Sequence, residues 1–126
     1  MRYMMIVKAN KDYEAGLPPK PELIAAVGRL AEEANKRGVM VGAGGLLPSS
    51  QGTRIRVANG KTSVTDGPFA ETKELVGGYA IFDLNSKEEA IQEGKLFMQV
   101  HADVMGPSYE GELEIRPMFG PEGPCS

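Results

Sequence analysis

Val64-Thr65-Asp66-Gly67-Pro68-Phe69-Ala70-Glu71-Thr72-Lys73-Glu74 joins two stretches that read as strands, and the chain arranges itself around it. Asp66-Gly67-Pro68 is turn chemistry. An aromatic and three charged residues, Phe69, Glu71, Lys73 and Glu74, follow at once. A connection needs only one or two turn residues. The surplus marks a loop that also holds something or builds part of a pocket.

Working back towards the N-terminus, Arg54-Ile55-Arg56-Val57 and Lys61-Thr62-Ser63-Val64-Thr65 flank Asn59-Gly60. Asn-Gly between alternating segments is the strongest short hairpin signal. Before the hairpin, Val39-Met40-Val41 begins a strand that fades into Gly42-Ala43-Gly44-Gly45. No Lys-Ser or Lys-Thr follows these glycines, so they are not a phosphate loop. A bulged strand, or backbone that a ligand approaches closely, fits better. Glu22 to Arg37 reads as a helix with Leu23, Val27, Leu30, Ala31 and Ala34 on one apolar stripe and Gly38 as its left-handed cap. Asn10 to Pro21 reads as a loop, and Arg2 to Lys8 as the first strand, with Tyr3, Met5 and Val7 on one face.

Working forward, Gly77-Gly78-Tyr79-Ala80-Ile81-Phe82-Asp83-Leu84 reads as a central strand. Ser86-Lys87-Glu88-Glu89 is a capping box that opens a second helix, expected to run to about His101. Glu112 to Arg116 is the last strand, and a Gly/Pro-rich tail follows from about residue 118. Without the hairpin the order is βαββαβ, the ferredoxin-like split unit, in a single domain spanning residues 1–126. Two helices cover one face of a mainly antiparallel sheet. The other face needs cover, which a homodimer supplies.

Composition narrows the function. The chain has 126 residues, 41% hydrophobic and 25% charged, with a net charge of −3 and no basic stripe. That argues against a nucleic-acid partner. No apolar run is long enough to span a membrane. The single cysteine, Cys125 beside the C-terminus, excludes an internal disulfide, and a reducing cytoplasm fits best.

Asp66-Gly67-Pro68-Phe69-Ala70-Glu71-Thr72-Lys73-Glu74 followed by Gly77-Gly78-Tyr79 resembles the signature of the YCII-related family, specifically its DGPF subgroup. The strands Arg2–Val7 and Glu112–Pro117 also resemble that family, so the likeness spans nearly the whole chain. It implies a ferredoxin-like dimeric α+β barrel. It also implies, for a few relatives, chemistry on small aromatic ring compounds, including removal of chloride from a chlorinated hydroxyquinol. Many members of the wider superfamily are isomerases or monooxygenases that need no cofactor. DGPF members are often associated with genes for extracytoplasmic-function sigma factors, which implies a transcription-related protein partner. The histidine–aspartate pair of some relatives has no matching position, because the one histidine here, His101, lies on the second helix.

The candidate catalytic residues are therefore Glu71, Glu74 and His101. Glu71 and Glu74 align if the loop is helical, and two close carboxylates can divide acid and base roles. A surface ion-pair cluster is the equally weighted alternative. His101 is either a general acid or base, or a helix-end histidine bonded to a backbone carbonyl, the commoner outcome. Candidate ligand-binding residues are Lys73 and Arg54 as anion holders, Tyr3 and Tyr79 as orienting hydroxyls, Phe69 as a wall, and Asp66. Asp66 is expected mainly to fix the turn by bonding the backbone two residues ahead. No cofactor and no metal are expected: one histidine with Asp103 two residues on is not a ligand set. These residues suggest a cofactor-independent proton transfer, isomerisation or elimination on a small cyclic or aromatic compound. The rival is a non-catalytic module that binds a ligand or a protein partner.

Overall fold

A computed structural model describes residues 1–69, 75–120 and 123–124. Four strands form the main sheet: β1 (Arg2–Lys8), β2 (Met40–Gly45), β5 (Val76–Asp83) and β6 (Leu113–Pro117). Their order is β2-β5-β1-β6, with every neighbouring pair antiparallel. Each half of the unit is a strand, a helix and a strand, and this interleaved order is the ferredoxin-like α+β fold. Between β1 and β2 lie α1 (Lys11–Glu14) and α2 (Pro21–Lys36); between β5 and β6 lies α3 (Lys87–Met105). The inserted hairpin, β3 (Thr53–Ala58) and β4 (Lys61–Asp66), is a separate two-stranded sheet. A further pair, β7 (Phe119–Gly120) with β8 (Gly123–Pro124), occupies the tail.

Local chemistry sets most boundaries. Pro21 takes the first turn of α2, one residue earlier than expected, where its missing N–H costs nothing. At the other end Gly38 has φ +72°, and Val39 N–H donates to Ala34 O, which closes the helix. Ser86 caps α3 by accepting from Glu89 N–H at 3.2 Å. Glu89 reaches back to Asn85 N–H at 2.8 Å, one residue before the capping-box position. The helix continues to Met105, a turn beyond the expected end at His101. The Asn10–Pro21 loop contains the unexpected one-turn helix α1. In the hairpin turn Asn59 and Gly60 both have positive φ, 53° and 74°, as an Asn-Gly two-residue loop requires.

The sheet has one covered and one open face. Tyr3, Met5 and Val7 alternate towards the helices and pair with Phe82, Ala80 and Gly78 on β5. On the outer side of β5, Phe82, Ala80 and Gly78 pair with Met40, Ala43 and Gly45 of β2. Tyr3, Met5, Ala34, Phe82, Leu84 and Ala90 form the buried core, and Ala90 is wholly buried. At Gly94 the helix α3 comes so close to β6 that a Cβ would lie 3.2 Å from both Ile115 and Leu113.

Candidate functional site

The registered rows of the covered face change size along the sheet. At one end Tyr3, Phe82 and Met40 stand side by side; in the middle Met5, Ala80 and Ala43; at the far end Val7, Gly78 and Gly45. Side-chain volume therefore falls from row to row, while α2 and α3 bridge the whole length. The small rows leave a cavity of about 870 Å³ between sheet and helices. Its walls are mostly apolar: Met5, Val7 and Ala80 from the sheet, Leu23, Val27 and Ala31 from α2, Phe97 and Met105 from α3. Arg37 and Glu93, both on its wall, form an ion pair that ties the C-terminal end of α2 to α3.

The main polar side chain inside is His101. It is 8% exposed and is the one buried polar residue among those described. Its Nδ1 lies 2.9 Å from Phe97 O on the preceding turn of α3. A carbonyl only accepts, so this contact assigns the hydrogen to Nδ1. In the neutral ring Nε2 is then an acceptor, on the side of the imidazole away from the helix backbone. Among the described residues nothing hydrogen-bonds Nε2. The ring is held between Phe97, 4.6 Å between centroids, and Tyr109, 5.8 Å away and stacked at 30°. Burial raises the Tyr109 hydroxyl above its ordinary pKa, so it stays protonated at neutral pH.

The sequence-derived candidates fall into three places. His101 lines the cavity and bonds a backbone carbonyl, but it sits one turn inside α3 rather than at the helix end that was expected. Tyr3, 4% exposed, is in the packed core beside a smaller cleft of about 400 Å³. Tyr79 alternates with Ala80 and lies on the opposite face of the sheet. It is 37% exposed, with its ring across Gly44, where a Cβ would come within 3.2 Å. The two tyrosines therefore face opposite sides of the sheet, Tyr3 bordering the smaller cleft and Tyr79 contributing to the edge of the large cavity. Glu71, Lys73 and Glu74 lie outside the described residues.

Arg54, Asp66 and Phe69 build the base of the hairpin. The Arg54 guanidinium stands 3.7 Å over the Phe69 ring. Asp66 accepts from Thr53 Oγ1 at 2.7 Å across the hairpin. This corrects the expected turn bond: the residue two ahead of Asp66 is Pro68, which has no N–H to give. The Gly67–Pro68 peptide is cis, and Gly67 N–H donates to Gly52 O at 2.9 Å. A Cβ on Gly67 would stand 2.6 Å from Ser50 O, so only glycine fits. Glu14 of α1 accepts from both Ser49 N–H and Ser49 Oγ–H, tying the same turn to the first loop. The motif is thus first a clamp for the hairpin.

Sequence reading missed Tyr109. Its loop is bracketed by Gly106, φ +93°, and by Gly111, where a Cβ would overlap the tyrosine ring. Two glycines around an aromatic, just past the helix that carries the sole histidine, were the available signal.

On the open face Lys8 and Arg116 both hold Glu114, each at 3.1 Å, and these hydrogen bonds keep its carboxyl below the usual range. Among the described residues no helix is long and apolar enough to cross a membrane.

Comparison with known proteins agrees with this architecture. The chain is 33% identical over 95 residues to an uncharacterised protein of Rhizobium meliloti (strain 1021), an overlap of 75% of this chain and 69% of that protein. Residues 1–97 match the YCII-related domain. That match covers well over half of the chain and includes all but the last part of α3 and the strands after it, and the chain therefore belongs to the YCII-related family.

Proposed function

We infer that the protein acts on a small cyclic or aromatic compound held in the cavity between sheet and helices, without a cofactor. His101 is the proton carrier. The observation that carries this reading is the buried imidazole whose Nδ1 is fixed on Phe97 O while Nε2 has no partner among the described residues and the ring lines an apolar cavity. An acceptor nitrogen in such surroundings takes a proton from a bound ligand and returns it to another of the ligand's atoms. The net result is an isomerisation; where the proton is instead released to water while an anion leaves the ligand with its electron pair, the result is an elimination. Glu71 and Glu74 are the further proton carriers of this reading, and Lys73 an anion holder. Arg54, Asp66 and Phe69 serve it indirectly, by setting the base of the loop.

The reading also includes membership of the DGPF subgroup, a cytoplasmic location and a homodimer. Support for the dimer is the open sheet face, where Met4, Ile6 and Ile81 are only half-buried and Tyr79 is exposed. A second copy would cover them.

A second reading, a non-catalytic module that binds a protein partner linked to transcription, has one observation in its favour. Ile55, Val57 and Val64 project from one face of the hairpin with 69%, 69% and 66% of their surface exposed.

The test is proton exchange. In deuterated water the protein should speed deuterium uptake at carbon in one or more of a panel of cyclic ketones and phenols. His101→Gln should lower that rate about 10²- to 10⁴-fold. Uptake at the buffer rate with the intact protein, or an equal rate in the variant, would contradict the catalytic reading and favour the binding module.

A further inference from the structure

The cavity wall carries several polar residues besides His101, among them Lys20, Arg37, Glu93 and Tyr109, and Tyr109 is the one that stacks on the imidazole. Tyr109 lies on the loop between α3 and β6, lines the same cavity and stacks on the imidazole at 5.8 Å. Its main-chain N–H is used by Gly106 O at 3.1 Å. Its hydroxyl makes no hydrogen bond among the described residues. The loop leaves room for it: the chain at Gly111 passes so close that a Cβ would sit 2.2 Å from the hydroxyl oxygen. At the imidazole the site thus sets an acceptor, His101 Nε2, beside a donor, Tyr109 Oη–H, among flat ring surfaces.

We propose that this pair selects a ring compound carrying both a hydroxyl and a carbonyl. The ligand's hydroxyl donates to His101 Nε2, and its carbonyl accepts from Tyr109 Oη–H. This deepens the reading of the cavity as the working site and rests on it. An apolar ring alone fills the space but leaves both polar groups unpaired. A ring with a hydroxyl alone satisfies the imidazole and leaves the phenol without an acceptor. Each unmet group lowers affinity by about the value of one hydrogen bond, roughly tenfold. In this arrangement Tyr109 is a specificity-determining residue, and its ring also positions the imidazole.

Three probes separate the contributions: toluene, phenol and 3-hydroxybenzaldehyde, each titrated into the whole protein by calorimetry. The expected order of affinity is toluene, then phenol, then 3-hydroxybenzaldehyde, with about tenfold between steps. Tyr109→Phe keeps the stacked ring and removes only the hydroxyl. It should bring 3-hydroxybenzaldehyde back to the affinity of phenol and leave phenol unchanged. His101→Gln should weaken both. Circular dichroism of each variant reports whether the fold is kept, and His101→Asn replaces any variant that fails to fold. If phenol depends on His101 but the carbonyl adds nothing and Tyr109→Phe changes nothing, the donor–acceptor pairing is overturned while the cavity reading stands. If all three probes bind equally, or none binds, both fall.

Discussion

The two ends of the layer between sheet and helices are built from the same strands and the same helices, yet one is more tightly packed, with Phe82 and Met40 forming the near wall of the cavity that opens at the other. At the packed end Tyr3, Phe82 and Met40 stand in one row, with Leu84 and Ala90 closing over them. At the hollow end the same three strands present Val7, Gly78 and Gly45. The backbone hydrogen bonds continue through both. Only side-chain size changes, and that change creates the cavity that His101 and Tyr109 enter. Stability and function are therefore divided along the length of a single layer, and mutations at the two ends should have different consequences.

The largest difference is expected in stability. Phe82→Ala empties a site that is 7% exposed and should cost about 3–5 kcal/mol in denaturant unfolding. Val27→Ala enlarges a space already open and should cost about 1 kcal/mol or less. Equal losses would break the distinction between the ends. Filling the hollow should do the reverse. Ala31→Leu adds volume on the cavity wall, so stability should stay within about 1 kcal/mol of the parent while phenol affinity falls more than tenfold. A large destabilisation would mean that the space is closed in solution.

Smaller effects come from pH, and they too separate regions. Tyr109 is raised by burial above its ordinary 10.0. Its contribution is fully present below that value and is lost as pH rises through the raised one. The extra affinity for the carbonyl probe should therefore hold through neutral pH. Glu114, on the open face, is lowered by Lys8 and Arg116. Its contribution is present above its ordinary 4.5 and is lost as pH falls through the depressed value. Its side chain is partly exposed to solvent, so the effect should be slight and weaken with salt, as acid titrations of the parent and Glu114→Gln would show.

Much of this architecture was legible in the chain. The stripe from Leu23 to Ala34, the Asn59-Gly60 turn and the Ser86 cap each fix an element by local physics, and their order gives the ferredoxin-like unit. The site was harder to read because it depends on register. Gly78, Ala80 and Phe82 become a size gradient only once they are aligned with Val7, Met5 and Tyr3, and pairing across dozens of residues is not a local property. Tyr3 and Tyr79 looked like partners for the same reason: alternation places each on a face, but only register shows that the faces differ. His101 was singled out by its chemistry alone. Tyr109 was not, because an aromatic in a loop carries no sign that it will stack on a histidine eight positions before it.

The most direct test of the account follows the imidazole of His101 by NMR while phenol is added. With one histidine in the chain its signals need no assignment by mutation. The account predicts hydrogen on Nδ1, a bare Nε2 in the free protein, and a saturable shift of Nε2 on titration that is lost in Ala31→Leu. Hydrogen found on Nε2 of the neutral ring, or no saturable shift, would contradict it.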